Sequence, residues 1–486
     1  MAADAGVVGI STGSLRGRSA PLSQAVIAGI AMLSDALAAC LPTVAVYAAY
    51  VGIDIDRNVE YAAVTVLAAL LIVLAANAWG LYRFPVILHP GRHVRRLLTL
   101  CGIVFFGLIA LAFALKVSTE FSRIWAFSSM LLTTVTIVLA RFAIAASVRK
   151  FAKNGRLARR IVVYGAQSHG QRLIERINAL REPWNVIIVV FDDRLSRVDS
   201  TVEGYPVLGN LAELVDWGRR NRPDEVLVAL PWGAETRLTQ VLETLAVLPA
   251  NVRLCSEFMR LDLIGGRMNS QFGIPMLNAF EKPMEGWGRI WKRAFDTVVS
   301  FLIIVLAMPL FLVIAALIRL ESRGPILFRQ PRYGFNHELI QVFKFRTMYA
   351  SDSDELGVRL TERNDPRVTR FGAFLRRYSL DELPQLLNVL RGEMSLVGPR
   401  PHAIRTTAGS RQCDEIVSQY AVRHKVKPGI TGWAQVNGWR GTMETEDHLI
   451  QRLEHDLYYI KNWTPGLDLK ILAMTVWTVI GGRNSF

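Results

Sequence analysis

Residues 376–401 read Arg-Arg-Tyr-Ser-Leu-Asp-Glu-Leu-Pro-Gln-Leu-Leu-Asn-Val-Leu-Arg-Gly-Glu-Met-Ser-Leu-Val-Gly-Pro-Arg-Pro. Two adjacent acids, Asp381 and Glu382, follow a pair of arginines, and the rigid turn Gly398-Pro399-Arg400-Pro401 presents a further guanidinium. Carboxylates framed by arginines are what a site needs where a nucleophile, a metal and phosphates meet. A structural reading fits the same residues. Ser379-Leu380-Asp381-Glu382 has the form of a capping box, in which Ser379 starts a helix and Glu382 reaches back to it. Acids in a first turn also suit the helix dipole, and Pro384 is tolerated there. Spacing alone leaves both readings open.

What must position these residues is a chain of 486 residues, long enough for two or three domains. Hydrophobic residues make up 51% and charged residues 20%, with a mean hydropathy of +0.27, which points to a membrane protein with its apolar content in blocks. The formal charge of +15 suits an anionic partner such as lipid headgroups, nucleotides or nucleic acid. Cys40, Cys101, Cys255 and Cys413 are far apart and form no C-x-x-C pair, so neither a disulfide framework nor a zinc site is expected. No secretory signal pattern is read at the N-terminus.

Four apolar blocks, at about 25–51, 61–81, 97–115 and 124–148, each meet the length of roughly 20 residues that a spanning helix requires. Arg16 and Arg18 precede the first block. Arg83, Arg92, Arg95 and Arg96 separate the second from the third, and Arg149, Lys150, Lys153, Arg156, Arg159 and Arg160 follow the fourth. The loop with Asp54, Asp56, Arg57 and Glu60 has no basic excess, so the positive-inside rule places both ends of a four-helix bundle in the cytoplasm.

From Arg160 the pattern alternates between strand and helix. Strands are expected at 161–164, 185–191, 225–230 and 251–255, which indicates a doubly wound α/β domain. Gly165 and Gly170 bracket a glycine turn, and Asp192 lies where a ribose-binding acid would sit. Gln167, however, takes the place of the middle glycine, where backbone must approach a pyrophosphate. The fingerprint is degraded, and a structural or dimerising domain is the expectation.

After a connector comes the apolar run 297–318, with Lys292 and Arg293 before it and Arg319 and Arg323 after it. Basic flanks favour the cytoplasmic side at both ends, and Pro309 removes a backbone hydrogen bond midway. A helix that enters one leaflet, breaks at Met308-Pro309 and returns satisfies both observations. Beyond it, Phe328–Gly334 and Val342–Met348 interleave cations with apolar residues. Residues 467–480 read as a terminal helix suited to lying on a membrane.

The C-terminal third carries Lys292-Arg-Ala-Phe-Asp296, Phe343-Lys-Phe-Arg-Thr-Met348, Leu380-Asp-Glu-Leu-Pro-Gln385, Ser395-Leu-Val-Gly-Pro-Arg-Pro401 and Lys427-Pro-Gly-Ile-Thr-Gly-Trp-Ala-Gln-Val-Asn-Gly438. In these blocks it resembles the bacterial polyprenyl-phosphate sugar-1-phosphate transferases, the large monotopic phosphoglycosyl transferases. The full-length layout is most similar to undecaprenyl-phosphate glucose phosphotransferases of exopolysaccharide assembly. The fold expected is membrane α plus α/β. It comprises a transmembrane bundle (1–150), a Rossmann-like domain (151–265), a connector (266–291) and an α-rich monotopic catalytic domain (292–486) whose re-entrant helix occupies 292–322. Met308 departs from the serine often found before the helix-breaking proline.

The resemblance implies transfer of hexose 1-phosphate, glucose before galactose, from a UDP-sugar to undecaprenyl phosphate with release of UMP. It makes Asp381 the nucleophile and Glu382 the Mg²⁺ ligand. Lys344, Arg376, Arg400, Asp456 and Asp468 match positions expected to bind substrate. It also implies a bacterial inner membrane protein with its site facing the cytoplasm and no nucleic-acid partner, while the lost glycine fingerprint motivates a homodimer formed through the α/β domain. A nucleotide-sugar epimerase is the nearest rival, but Gln167 breaks the glycine fingerprint and no tyrosine has a lysine four residues on. A non-enzymatic membrane scaffold would have no need of the Asp381–Glu382 pair.

Overall fold

The computed structural model describes residues 23–52, 55–153, 157–180, 182, 184–231, 233–255, 270–272, 274–349, 365–402, 407–408, 411–412, 420–439 and 445–480. Arg16, Arg18, Asp54, Arg156, Cys413 and residues 266–269 of the expected connector lie outside them. The chain divides into two compact units, Met1–Ala158 and Arg159–Phe486.

In the first unit the four apolar blocks form α1 (Gln24–Val46), α2 (Ile55–Ala78), α3 (Pro90–Ala114) and α4 (Arg123–Lys153). Helix α1 packs on α2 and α4, and α3 closes the ring against the same two. All four are long and apolar enough to cross a membrane, as is a fifth helix in the second unit. Most large side chains on their outer faces are exposed, among them Leu41, Leu74, Phe113 and Leu139. Polarity is turned inward. Arg141 of α4 donates to both oxygens of Asp35 of α1, at 3.1 and 2.6 Å, and to the Leu81 carbonyl. Tyr82 completes the acid's shell at 2.9 Å. An ionisable pair inside an apolar bundle persists only when partnered in this way.

The second unit opens with a six-stranded sheet. Its strands are β1 (Arg159–Tyr164), β2 (Asn185–Phe191), β3 (Glu225–Val228), β4 (Asn251–Cys255), β5 (Ser270–Gln271) and β6 (Ile274–Phe280), in spatial order β2-β1-β3-β4-β6-β5. The first four pair in parallel, as near-continuous Val, Ile and Leu runs buried on both faces should. Helices α5 (Ser168–Ala179), α6 (Leu211–Asn221) and α7 (Glu235–Leu245) supply the crossovers. One expectation is corrected here. The stretch 266–291 is no plain connector, because β5 and β6 add an antiparallel edge to the sheet. The alternation Ile274, Met276 buried and Leu277 exposed lets β6 cover an edge that would otherwise stay open.

The glycine turn after β1 is closed on itself. Asp192 is buried and accepts from the Ala166 amide at 2.8 Å and the Arg194 amide at 2.8 Å. The acid read as a possible ribose ligand is thus spent on holding the turn. A Cβ on Gly170 would fall 1.8 Å from the Gly165 carbonyl oxygen, so these glycines serve close helix–strand packing.

Helix α8 (Gly286–Glu321) follows, and it corrects a second expectation: the helix is unbroken over 36 residues, with Pro309 inside it. A proline removes a single backbone hydrogen bond, which the flanking turns can outlast in an apolar setting. Lys292, Asp296, Ser300, Ile314 and Ile318 are buried, whereas residues 301–303, 305, 306 and 308–310 are exposed. Beyond it come a hairpin of β7 (Leu327–Tyr333) and β8 (Leu339–Phe345), then α9 (Arg370–Arg377) and α10 (Gln385–Arg391). A short parallel pair, β9 (Ser395–Val397) with β10 (Gly429–Thr431), precedes α11 (Glu446–Lys461) and α12 (Pro465–Ile480).

Two devices fix this C-terminal part. At the β9–β10 crossing a Cβ on Gly429 would lie 2.1 Å from the Gly398 amide nitrogen, and one on Gly398 would lie 2.6 Å from the Lys427 carbonyl. Only backbone fits between the two strands, which explains the glycines of both motif blocks. The second device is a buried polar knot. Lys292 of α8 donates to Asp468 of α12 at 2.8 Å and sits 3.4 Å from Asp296. Tyr459 and Trp463 also donate to Asp468, at 2.9 and 3.2 Å, and Ser395 of β9 donates to Asp296 at 2.7 Å. Lys292→Met leaves Asp296 and Asp468 buried without their cation. We expect a loss of about 3–5 kcal/mol, read as a lower unfolding midpoint in detergent; an unchanged midpoint would show the knot to be dispensable.

Candidate active site

The block Phe343–Met348 begins in the last residues of strand β8 and runs past its end, and each polar side chain in it has a separate task. Lys344 Nζ donates to Glu382 Oε1 at 2.9 Å. Arg346 donates to the Ser322 and Arg323 carbonyls, tying the strand to the end of α8 at 2.8 and 3.0 Å. Thr347 Oγ1 accepts from Arg376 Nε at 2.8 Å. The strand is locked from the other side by Asn388 of α10. Its Oδ1 accepts from the Phe343 amide at 3.0 Å and its Nδ2 donates to the Gln341 carbonyl at 2.7 Å. Lys344 is thereby held against the turn that precedes α10.

That turn is a 3-10 segment, Leu380–Glu382, entered through Ser379 at φ 56° and ψ 22°. A left-handed, non-glycine residue costs about 1–2 kcal/mol, and such strain concentrates at functional sites. The capping box is corrected here. Ser379 makes no side-chain cap, because capping requires extended backbone at that residue. Glu382 does not reach back either. Its oxygens accept from Lys344 and from both terminal nitrogens of Arg400, at 3.0 and 2.5 Å. Charge-assisted, bidentate partners outcompete a backbone amide.

Both acids are nearly buried, yet they are treated differently. Burial alone would raise Glu382, but Arg400 and Lys344 hold it well below the usual carboxylate range. Asp381 is raised by burial, with Lys344, Arg376 and Arg400 pulling it down and charged Glu382 pushing it up. Among the described residues none donates a hydrogen bond to the Asp381 carboxylate. It accepts from none of them beside a neighbour that accepts three charge-assisted hydrogen bonds. Lys344 is itself lowered by burial, against the pull of Glu382 and Asp381.

Arg400 is positioned from behind. Its carbonyl accepts from Arg423 at 2.9 Å, and Arg423 pairs with Asp456 of α11 at 2.6 Å, both fully enclosed. Asp456 therefore acts on the site through Arg423 and Arg400. Burial and the guanidinium of Arg400 lower Arg332 to about 10; burial and Arg423 do the same to Arg452. Arg332 donates to the Pro401 carbonyl at 2.5 Å. Among the described residues, Lys344, Arg332, Arg376, Arg400, Arg423 and Arg452 thus gather around Asp381, Glu382 and Asp456, with Asp365 also acting on Arg376. Such an excess of buried positive charge calls for anions from outside.

Of the residues singled out in the sequence, the fold brings together Asp381, Glu382, Lys344, Arg376 and Arg400. It places Asp456 one link behind and Asp468 elsewhere, in the knot with Lys292 described above. Pro309 lies mid-helix on α8. Arg332, Arg423 and Arg452 carried little sequence signal; Arg452 and Asp456 share an i, i+4 spacing on α11, and Arg332 sits in the cation-rich strand β7. His402 and His424 are buried, and His424 is pushed down to about 3 by burial and by Arg423. Among the described residues no three Asp, Glu, His or Cys side chains converge as a metal site. Two carboxylates supplemented by substrate phosphates are, however, a usual donor set for Mg²⁺, and Asp381 with Glu382 fits it.

Residues 287–482 match the bacterial sugar transferase family, and residues 77–256 match the CoA-binding domain family. Three relatives extend the similarity. The undecaprenyl-phosphate glucose phosphotransferase of Komagataeibacter xylinus is 43% identical over 68% of this chain, a match that spans 61% of the relative's own length. The UDP-glucose:undecaprenyl-phosphate glucose-1-phosphate transferase of Escherichia coli strain K12 is 38% identical over 71% of this chain and 73% of its own. The protein of that same name from Xanthomonas campestris pv. campestris is 32% identical over 82% of this chain and 83% of its own. The motif blocks of the C-terminal third, the arginine-framed acid pair they build and these matches agree: the chain belongs to the bacterial sugar transferase family.

Proposed function

We propose that the protein transfers a hexose 1-phosphate, glucose 1-phosphate by its relatives, from a UDP-sugar to undecaprenyl phosphate, the opening step of exopolysaccharide assembly. The observation that carries this reading is the pairing of a free Asp381 with a clamped Glu382 inside a cluster of cations. An Asp381 oxygen attacks the sugar-bearing phosphorus, the bond to the bridging oxygen breaks, and UMP leaves with that electron pair. A phosphate oxygen of undecaprenyl phosphate then attacks the same phosphorus, and the Asp381 carboxylate departs unchanged. A carboxylate is competent toward phosphorus when charge is neutralised around it. Arg400 and Lys344, which hold Glu382, are also the cations available to the incoming diphosphate; Arg376 acts on the nucleophile. Mg²⁺, held by Glu382 and the substrate phosphates, would add further charge neutralisation.

The membrane arrangement follows the same reading. A straight helix of 36 residues would be about 54 Å long. Yet both buried stretches of α8 pack on one body: Lys292 and Asp296 on β9 and α12, Ile314 and Ile318 on Phe345 and Leu375. Leu383 packs against both clusters. This supports a helix that dips into one leaflet with both ends on the cytoplasmic side; the helical bundle is, by its own basic loops, oriented in the bacterial inner membrane with both ends in the cytoplasm. Such a placement puts the site where a lipid phosphate and a soluble donor meet.

Three outcomes test this reading. Asp381→Asn should abolish both UMP release and the labelled sugar-phosphate adduct on the protein, seen by intact-mass measurement; normal turnover would remove Asp381 as nucleophile. In the native protein the raised Asp381 should place the acid limb of the pH–rate profile above the ordinary carboxylate range, since the protonated form cannot attack. Burial is the larger cause of the raised Asp381, and Glu382→Gln removes the second, the neighbouring negative charge, so residual activity should persist to lower pH; a limb moving upward contradicts this electrostatic assignment. Finally, a cysteine at exposed Asn437, in a background without native cysteines, should be labelled only from the cytoplasmic face. Labelling from outside the cell would refute the re-entrant arrangement.

A further inference from the structure

Helix α9 is short, but its two faces differ sharply. Gly372 and Leu375 are buried, while Phe371, Phe374 and Tyr378 form a row of rings with centroids 6.0 and 4.9 Å apart. Phe374 and Tyr378 are 49% and 43% exposed, so this row meets the surroundings. Opposite it, the last turns of α8 expose Leu317 and Leu320, the latter at 83%. Between the two helices runs an open groove of about 650 Å³, lined by Leu317, Leu320, Glu321, Arg370, Phe371 and Phe374.

Three features say what this groove takes. Its walls are aliphatic and aromatic, and one wall is the apolar helix already read as membrane-embedded, so the occupant comes from the lipid phase. Its floor is continuous with the reaction centre: Phe371 packs in the same cluster as Leu375, Leu380 and Leu383, and Leu380 directly precedes Asp381. Its charge is uneven along α9. At the start of the helix the groove carries both Arg370 and Glu321, whose carboxylate accepts from the Phe371 amide at 3.0 Å, whereas Arg376 and Arg377 stand unopposed by a groove-lining acid at the end nearest Asp381. An apolar chain with an anionic head at that end matches this distribution.

We propose that the groove between α8 and α9 holds the first isoprene units of the prenyl-phosphate acceptor, placing its phosphate at Arg376 beside Asp381. This rests on the acceptor assigned under the proposed function. The sugar donor, soluble and highly charged, has no use for such walls. Ordinary bilayer acyl chains are the competing occupant, and they have no reason to be aligned with the nucleophile.

The test uses the full chain in nanodiscs containing phosphatidylglycerol, with a prenyl phosphate that carries a diazirine on its first isoprene units. Cross-links are expected at Leu317, Phe371 or Phe374 and should fall with excess undecaprenyl phosphate. Cross-links elsewhere, or competed equally by phosphatidylglycerol, overturn the proposal. In kinetics, Phe374→Ser should reduce the preference for undecaprenyl over geranyl phosphate about tenfold, and Phe374→Leu, which keeps an apolar wall, by about threefold or less. An undiminished preference in Phe374→Ser overturns it as well. Competed cross-links at the groove without turnover by the native protein would keep the groove and refute the reaction; turnover without those cross-links would do the reverse.

Discussion

The clamp on Glu382 is the interaction on which the rest of the catalytic part depends. Three donors from two cations converge on one carboxylate, and every element nearby is arranged to hold one of the partners. Strand β8 brings Lys344, and Asn388 locks that strand. The Gly398–Gly429 crossing and Arg423 hold the turn that presents Arg400. Glu382 takes the hydrogen bonds of these cations, so its neighbour in sequence feels their charge without accepting from them. Adjacent residues thus acquire opposite characters, one neutralised and fixed, the other unpaired and raised.

The surrounding arginines give that asymmetry a context. A buried excess of positive charge is unfavourable by itself, and anionic phosphates are the groups that relieve it. The strained residue Ser379 belongs to the same economy of position. Its left-handed backbone turns the chain sharply after α9, so that Arg376 before the bend and Asp381 after it face one another. A site assembled from rigid elements in this way tolerates little displacement.

Much of this was legible in the sequence, because it rests on local pattern. Apolar blocks of spanning length, strands of continuous β-branched residues and an acid pair framed by arginines are all visible without coordinates. The motif position of Asp468 implies a substrate ligand, while in the fold it accepts from Lys292, Tyr459 and Trp463; motif position carries no information about which cation will arrive from 176 residues away. The capping box was a sound local pattern overruled by long-range charge. The break at Pro309 failed because one missing hydrogen bond bends a helix more readily than it ends one. Arg423 and Arg452 went unread since nothing local distinguishes a buried guanidinium from a solvated one.

The ion pair inside the helical bundle has a consequence for how the chain is made. Asp35 and Arg141 are 106 residues apart. At a synthesis rate of about 5–20 residues per second, Asp35 emerges roughly 5–20 s before its partner exists. A lone carboxylate at the centre of a bilayer costs about 2.5–3.5 kcal/mol even by lenient scales. The first helix is therefore poorly suited to settle in lipid by itself. Its stable residence waits for the fourth, and the bundle's assembly is coupled to the completion of its own synthesis.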